Sequence, residues 1–322
     1  MRAFCFGPLV LAGLLAACAT VVPIAPASTL DDGWVAAPAS TRSVGLGLPG
    51  GAQLAEGVTF SSGLELVADE TSPLHSLSDL KISGDWFYAV SDAGDLVRFH
   101  PWIDAATGEM TGLARLGVRR LTLADGSPIV DKADGDAEGL LVTDRGDLLV
   151  SFERDHRIWN YGSPRDLNVR PVPVSRPEFD FPLNDGMEGV SVRSGGWRVA
   201  GEDGGVWDCS PAGCAVIVAP PEPPLADSDY RITGMDRDPD GGFFVVQRSF
   251  SRPIDARARV RRMAEDGTLG PVLIELKLPS TTDNFEGVAA ERQGQATRLY
   301  ILSDDNNSST QRTLLLAFDV AD

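Results

Sequence analysis

Residues 184–208 read NDGMEGVSVRSGGWRVAGEDGGVWD. A Glu-Gly pair opens a short apolar run, a Ser-Gly-Gly turn leads to a second run, and a loop rich in Gly and acid leads to a third. Short runs of this kind, broken by glycine turns, spell an antiparallel meander. The stretch has relatives. Ser78-Asp79-Leu80, Glu138-Gly139-Leu140, Glu188-Gly189-Val190, Thr233-Gly234-Met235 and Glu286-Gly287-Val288 are separated by 60, 50, 45 and 53 residues. Each is followed by a second strand (WFYAVS, DLLVSF, WRVAG, FFVVQ, LYILS) and a third (DLVRF, RIWNY, GGVWD, ARVRRM, LLLAFDV). The first four copies add a fourth: VRRLTL, NVRPVPV, AVIVAP and PVLIELKL. Repeats of this length are those of propeller blades, and no sustained apolar stripe at helical spacing interrupts them.

The fifth copy ends after LLLAFDV without a fourth strand, while GLELVAD, residues 63–69, precedes the first copy and has no blade of its own. Joining the two removes the exposed sheet edges that threaten β proteins. The expectation is an all-β, five-bladed propeller closed by an N-terminal strand that completes the last blade. Six blades follow if residues 42–62 or 101–132 add strands. A β-sandwich is the other all-β choice, and the phase-keeping repeat argues against it.

The chain start predicts a compartment. Arg2 precedes a 14-residue apolar run, Phe4 to Ala17, too short to span a bilayer as a helix. It ends in Leu15-Ala16-Ala17-Cys18, similar to a bacterial lipobox, so residues 1–17 are read as a lipoprotein signal peptide and Cys18 as the lipidated first residue. An ordinary cleavage site containing a Cys is the alternative. Ala19, rather than Asp, favours the outer membrane. The expected location is the periplasmic face of the cell envelope, with lipid as the only membrane attachment. Residues 18–57, rich in Ala, Pro, Ser, Thr and Gly, are read as a flexible tether, and 58–322 as the propeller domain.

The chain carries 28 Lys and Arg against 46 Asp and Glu, a net charge of −18. That balance excludes nucleic acid as a partner and favours cations, or small anions only where a cation intervenes. Cys209 and Cys214, in CSPAGC, are placed to close a hairpin-tip disulfide in an oxidising compartment. Two free thiols are the alternative. The expected protein is a monomer whose partner is a small anionic substrate or a periplasmic protein.

In a propeller the first strand of each blade lines the central channel, so equivalent positions form a ring. Glu138, Glu188 and Glu286 share one such position. Asp92, Glu153, Glu202 and Asp304 share another at the end of the second strand, with Asp305, Asn306, Asp136 and Asp185 nearby. Converging carboxylates repel unless a cation or protons intervene, and all-oxygen ligation suits Ca²⁺. The same pattern also suits carboxylates that latch neighbouring blades through backbone N–H groups. Arg248 replaces the acid in the fourth copy, and Arg154 and Arg312 fall on loops beside acids. All three are candidates to bind a substrate anion or to pair with carboxylates. Arg257, Arg259, Arg261 and Arg262 read as one solvated strand face. There is no GxSxG, and only three His are present, of which His156 sits in a motif-bearing loop. A nucleophile-elbow esterase and a His-rich zinc centre are therefore unsupported.

DNFEGVAAE with LYILSDDNNSSTQRTLLLAFDV, preceded by QRSF with ARVRRM and by DAEGLLVTDRGDLLVSFER, resembles the bacterial family named for the esterase-like activity of phytase, over about residues 60–320. The resemblance implies a calcium-associated propeller with hydrolase activity on phosphate or carboxylate esters. In that reading Glu138 or Glu188 moves the proton, and Glu138, Glu188, Glu286, Glu153, Glu202, Asp92, Asp304 and Asp305 supply the metal ligands. The alternative is a non-catalytic propeller that binds a ligand or partner protein on its acidic face.

Overall fold

A computed structural model describes residues 21–23, 33–252 and 255–321. The signal peptide and Cys18 lie outside the described residues. The chain enters through β1 (Val21–Pro23), β2 (Val35–Ala36), β3 (Ser40–Ser43), β4 (Ala52–Leu54) and β5 (Val58–Val67). Four blades follow, each built outward from the channel. The first is β6 (Leu77–Ser83), β7 (Trp86–Ser91), β8 (Asp95–Ile103) and β9 (Met110–Arg120). After the one-turn helix α1 (Lys132–Gly135), the second is β10 (Ala137–Val142), β11 (Leu148–Phe152), β12 (Arg157–Asn160) and β13 (Val172–Pro173). The third is β14 (Gly189–Arg193), β15 (Gly196–Ala200), β16 (Val206–Ser210) and β17 (Gly213–Val218). The fourth is β18 (Arg231–Arg237), β19 (Phe243–Phe250), β20 (Ala256–Met263) and β21 (Leu269–Lys277). The fifth has β22 (Asn284–Gln293), β23 (Ala296–Asp304) and β24 (Thr313–Ala321).

The missing fourth strand of the last blade is β5, antiparallel to β24 with Leu66 opposite Thr313 and Val58 opposite Val320. The ring is thus closed by chain segments distant in sequence, and the described residues form five blades. The segment 101–132 lengthens β8 and β9 instead of adding a sheet.

The expected tether needs correction over its described part. β2 pairs with β9, β4 with β21, and β3 with β5 while β1 pairs with β3, extending three sheets outward. Trp34 is 4% exposed and packs with Tyr88 and Leu121. Strand pairing at a sheet edge uses backbone groups, so an Ala-, Ser- and Gly-rich composition does not reveal it.

Apolar side chains of adjacent sheets fill the spaces between blades. Phe87 of the first blade meets Tyr300 of the last at 4.8 Å, nearly perpendicular, and Leu141 and Ile158 of the second blade pack with Met187 and Val199 of the third. The innermost strands approach so closely that glycine is required after Glu138, Thr233 and Glu286, whereas Asp79 follows Ser78 in the first blade. A Cβ on Gly234 would lie 1.9 Å from the Glu286 carbonyl oxygen, and one on Gly139 2.8 Å from that of Glu188. Neither glycine has positive φ, so crowding between blades demands them, not turn geometry. Cys209 and Cys214 are joined across β16 and β17.

Candidate metal and anion site

The innermost strand of four blades carries a bulge at the same place. Pairing skips Ser78, Glu138, Thr233 and Glu286, and Glu188 holds the equivalent place just before β14. A bulge leaves one residue outside the ladder and re-aims its side chain. Two residues upstream, Ser76, Asp136, Gly186, Arg231 and Asn284 lie beside Asp92, Glu153, Glu202, Arg248 and Asp304 at the ends of the second strands. Three rings of five therefore stack at one end of the channel.

The second and third blades supply the densest part. Carboxylate oxygens of Asp136, Glu138 and Glu153 lie within 4.8 Å of one another, and so do those of Glu153, Glu188 and Glu202. Glu153 belongs to both triads. Around them the described cations divide unevenly. Lys132 binds Asp92 and lies 3.2 Å from Asp136, and Arg154 binds Asp136 at 2.5 Å. Arg231 pairs with Asp185 and, at 2.8 Å, with Glu202. Arg248 lies 3.1 Å from Glu202 and 3.5 Å from Glu286, and donates to Asn284. Among the described residues, no Lys, Arg or His reaches ion-pairing distance of Glu138, Glu153 or Glu188.

Proton affinities follow from this crowding. Burial first, then the neighbouring carboxylates, pushes Glu138 and Glu188 well above the ordinary carboxylate range. Glu153 is pushed up to about 8 by burial and by Asp136 and Glu202. Glu286 rises through burial and Asp304, against the pull of Arg248, and Asp304 reaches about 7, mainly through burial. Glu202 rises through burial despite Arg248 and Arg231. Five all-oxygen donors, three of them without a cation, match a hard divalent ion such as Ca²⁺ in chemistry and in charge.

A family model described as "Phytase-like: Esterase-like activity of phytase" matches residues 72–307, well over half of the chain. The chain belongs to this phytase-like family. The sequence matches no curated protein. Among solved structures, the phytase-like chain is similar to an endo-arabinase from Bacteroides thetaiotaomicron, at 10% identity and a TM-score of 0.47, over 77% of this chain and 94% of the other. It is also similar to a catalytically inactive virginiamycin B lyase from Staphylococcus aureus, at 10% identity and 0.42, over 87% and 99%. A third likeness is to the Malassezia sympodialis allergen Mala s 1, at 11% identity and 0.41, over 87% and 89%.

Of the expected ligands in this phytase-like propeller, the structure brings Glu138, Glu153, Glu188 and Glu202 together, with Glu286 and Asp304 beside them around Asn284. Asp92 is drawn to the rim by Lys132. Asp305 lies outside this group. It accepts hydrogen bonds from the Ser76 and Asn307 amides at 2.9 and 3.0 Å, from Thr313 Oγ1 at 3.0 Å, and contacts His75 Nδ1 at 2.6 Å. Burial raises its pKa, but His75 and the amides outweigh burial and hold it low. Its oxygens tie the last blade to the first. Arg154 is occupied by Asp136, while Arg312 leans on Asp283 and lines a cavity beside the mouth. His156 contacts the Asp185 carbonyl at 3.0 Å and packs on Phe181. The face of β20 also differs from the expectation, since Arg259 reaches Glu275 and lies over Tyr230, and Arg262 pairs with Asp238.

Sequence reasoning missed Lys132, Arg231 and Asn284. For the last two a signal existed: each stands two residues before its ring position, as Asp136 does before Glu138.

Proposed function

We propose that the acidic mouth holds a calcium ion and that the propeller uses it to hydrolyse phosphate esters. The observation that carries this reading is the pair of triads sharing Glu153, three of whose five acids have no cation within reach. Asp136, Glu138 and Glu153 would hold the ion from one blade, Glu188 and Glu202 from the next. A calcium ion supplies neutralising charge and polarises a phosphoryl oxygen. The remaining work falls to the chain. Arg248, with 30% of its side chain exposed, offers guanidinium hydrogens to an anionic oxygen while its inner edge stays on Glu202. Glu138, partly buried, accepts the proton of the attacking water. Glu188, buried between Glu138 and Glu202, holds its neighbours in place and shapes the site. We further place the protein on the periplasmic side of the envelope, lipid-anchored at Cys18 to the outer membrane, where phosphate esters arriving from outside are met first.

The test is a thermal melt with calcium and with chelator, beside a hydrolysis screen on phytate, nitrophenyl phosphate and nitrophenyl acetate. Calcium should raise the melting temperature and support turnover of the phosphates, and Glu188→Gln should abolish both effects. No calcium shift would sink the site. A shift without turnover of any ester would leave a binding propeller, and turnover of the acetate alone would move the chemistry to carboxylate esters.

A further inference from the structure

Arg248 does not end the mouth; it is a wall between two spaces. With Phe250 it lines a recess of about 320 Å³ containing Glu202, Asp185 and Arg231. The same two residues line a neighbouring cavity of about 690 Å³ bounded by Ala256 and Leu278 and by Gln311 and Arg312. The pairing of Arg248 with Phe250 is a consequence of strand period. They are two residues apart at the end of β19, so their side chains leave the same face. The register of β19 against β20 continues to Phe250 opposite Ala256, and the Phe250 amide donates to the Asp227 carbonyl at 2.7 Å. The ring is therefore held by the sheet.

Among the described residues, Phe250 is the one phenylalanine that stands exposed, at 45%, and Leu278 on the same cavity is 52% exposed. Two large apolar side chains next to a dense cluster of charges thus leave about half of their surface in water. A planar apolar group laid on them would remove that surface from water and gain ring–ring contact. The opposite wall, Gln311 and Arg312, offers polar groups to the edge of such a ligand.

We propose that the substrate is an aryl phosphate monoester, with its phosphoryl group at Arg248 and its aromatic ring on Phe250 and Leu278. This rests on the phosphate-ester reading above and adds the identity of the alcohol. As water's oxygen bonds to phosphorus, the bond from phosphorus to the aryl oxygen breaks and the electron pair leaves with the aryloxide. Water's proton passes to Glu138, and the aryloxide is protonated by solvent.

The test is calorimetric titration of the full chain, in calcium, with phenylphosphonate and methylphosphonate, inert probes that differ only in the ring. Phenylphosphonate should bind about tenfold more tightly, the factor that about 1.4 kcal/mol makes. Phe250→Ala should reduce it to the methylphosphonate level and leave methylphosphonate unchanged. Retention of the calcium melting shift by Phe250→Ala shows that the variant is folded, and Phe250→Tyr, which keeps the ring, should retain the preference. Equal calcium-dependent affinity for both probes, or indifference of phenylphosphonate to Phe250→Ala, would overturn the aryl assignment and leave the cation site standing. Absence of calcium-dependent binding of either probe would overturn both.

Discussion

Two sets of buried acids lie within a few residues of each other on the same innermost strands, and their surroundings are opposite. Asp79, one residue beyond the ring position, is wholly buried. It accepts from the amides of Leu80 at 2.7 Å and Leu140 at 2.9 Å and binds Lys81 at 2.6 Å. Asp236 accepts from the Ala290 amide of the next blade at 2.8 Å and from Ser191 of the preceding one at 3.4 Å. These are latches between blades, a role the sequence also allowed for the ring glutamates. Glu138 and Glu188 are crowded against other carboxylates instead, with no described cation beside them. The lesson is that a repeated acid in a propeller is judged by what faces it: amides and a lysine make a latch, and facing carboxylates make a candidate site.

The comparison can be broken most forcefully at Asp79. Replacing it with Ala strands Lys81, only 4% exposed, and the Leu140 amide between blades. Removing one partner of a buried pair costs about 3–5 kcal/mol, a fall in melting temperature of about 10 °C for a domain of this size. Glu188→Gln, in chelator at neutral pH, should cause no fall, because the change strands no described cation or backbone amide. Equal losses from the two variants in a denaturation experiment would erase the distinction between latch and site.

Calcium should act in the other direction. At a free concentration a hundredfold above its dissociation constant, the ion stabilises by about 2.7 kcal/mol. Scanning calorimetry should show that gain in the native chain and in Phe250→Ala, and lose it in Glu188→Gln. Somewhat smaller is the effect of the Cys209–Cys214 link, which closes a short hairpin on the outer strands of the third blade. Its removal by paired Cys→Ser changes should cost about 2 kcal/mol through the unfolded chain and leave the calcium gain untouched. A reduced calcium gain would mean that the outer strands govern the mouth, against the reading that the innermost strands set it.

Much of this was legible beforehand. The repeat gave the blades, and the missing fourth strand gave the closure, because both depend on apolar runs and turns that sequence displays directly. The ring of Glu138, Glu188 and Glu286 was legible for the same reason, since phase in the repeat is position around the axis. What sequence hid depends on contacts between segments with no pattern of their own. β2, β3 and β4 join sheet edges through backbone groups, so their composition read as tether. Asp305 and Asp304 are adjacent, yet one faces the channel and the other faces Ser76 and His75, an alternation that reverses their roles. Lys132, from a one-turn helix, enters the site from outside the repeat.

Protonation bears most directly on the ring. The folded protein holds Glu153 at about 8 and Asp304 at about 7, against 4.5 and 3.8 for free side chains. Between those limits the folded state binds more protons than the unfolded one, so stability falls as pH rises. The contribution is complete below about pH 4 and lost by the time pH passes 8. Calcium must displace the same protons. For each proton displaced, its affinity rises tenfold per pH unit across this window, or about 1.4 kcal/mol. Melting curves at pH 5.5, 7 and 8.5 should therefore show apo stability declining while the calcium increment grows. If the ring acids were latches like Asp79, held by amides, the calcium increment would be absent at every pH. A constant, non-zero increment would place the ion elsewhere, on carboxylates already ionised at pH 5.5, and would separate the cation from the ring.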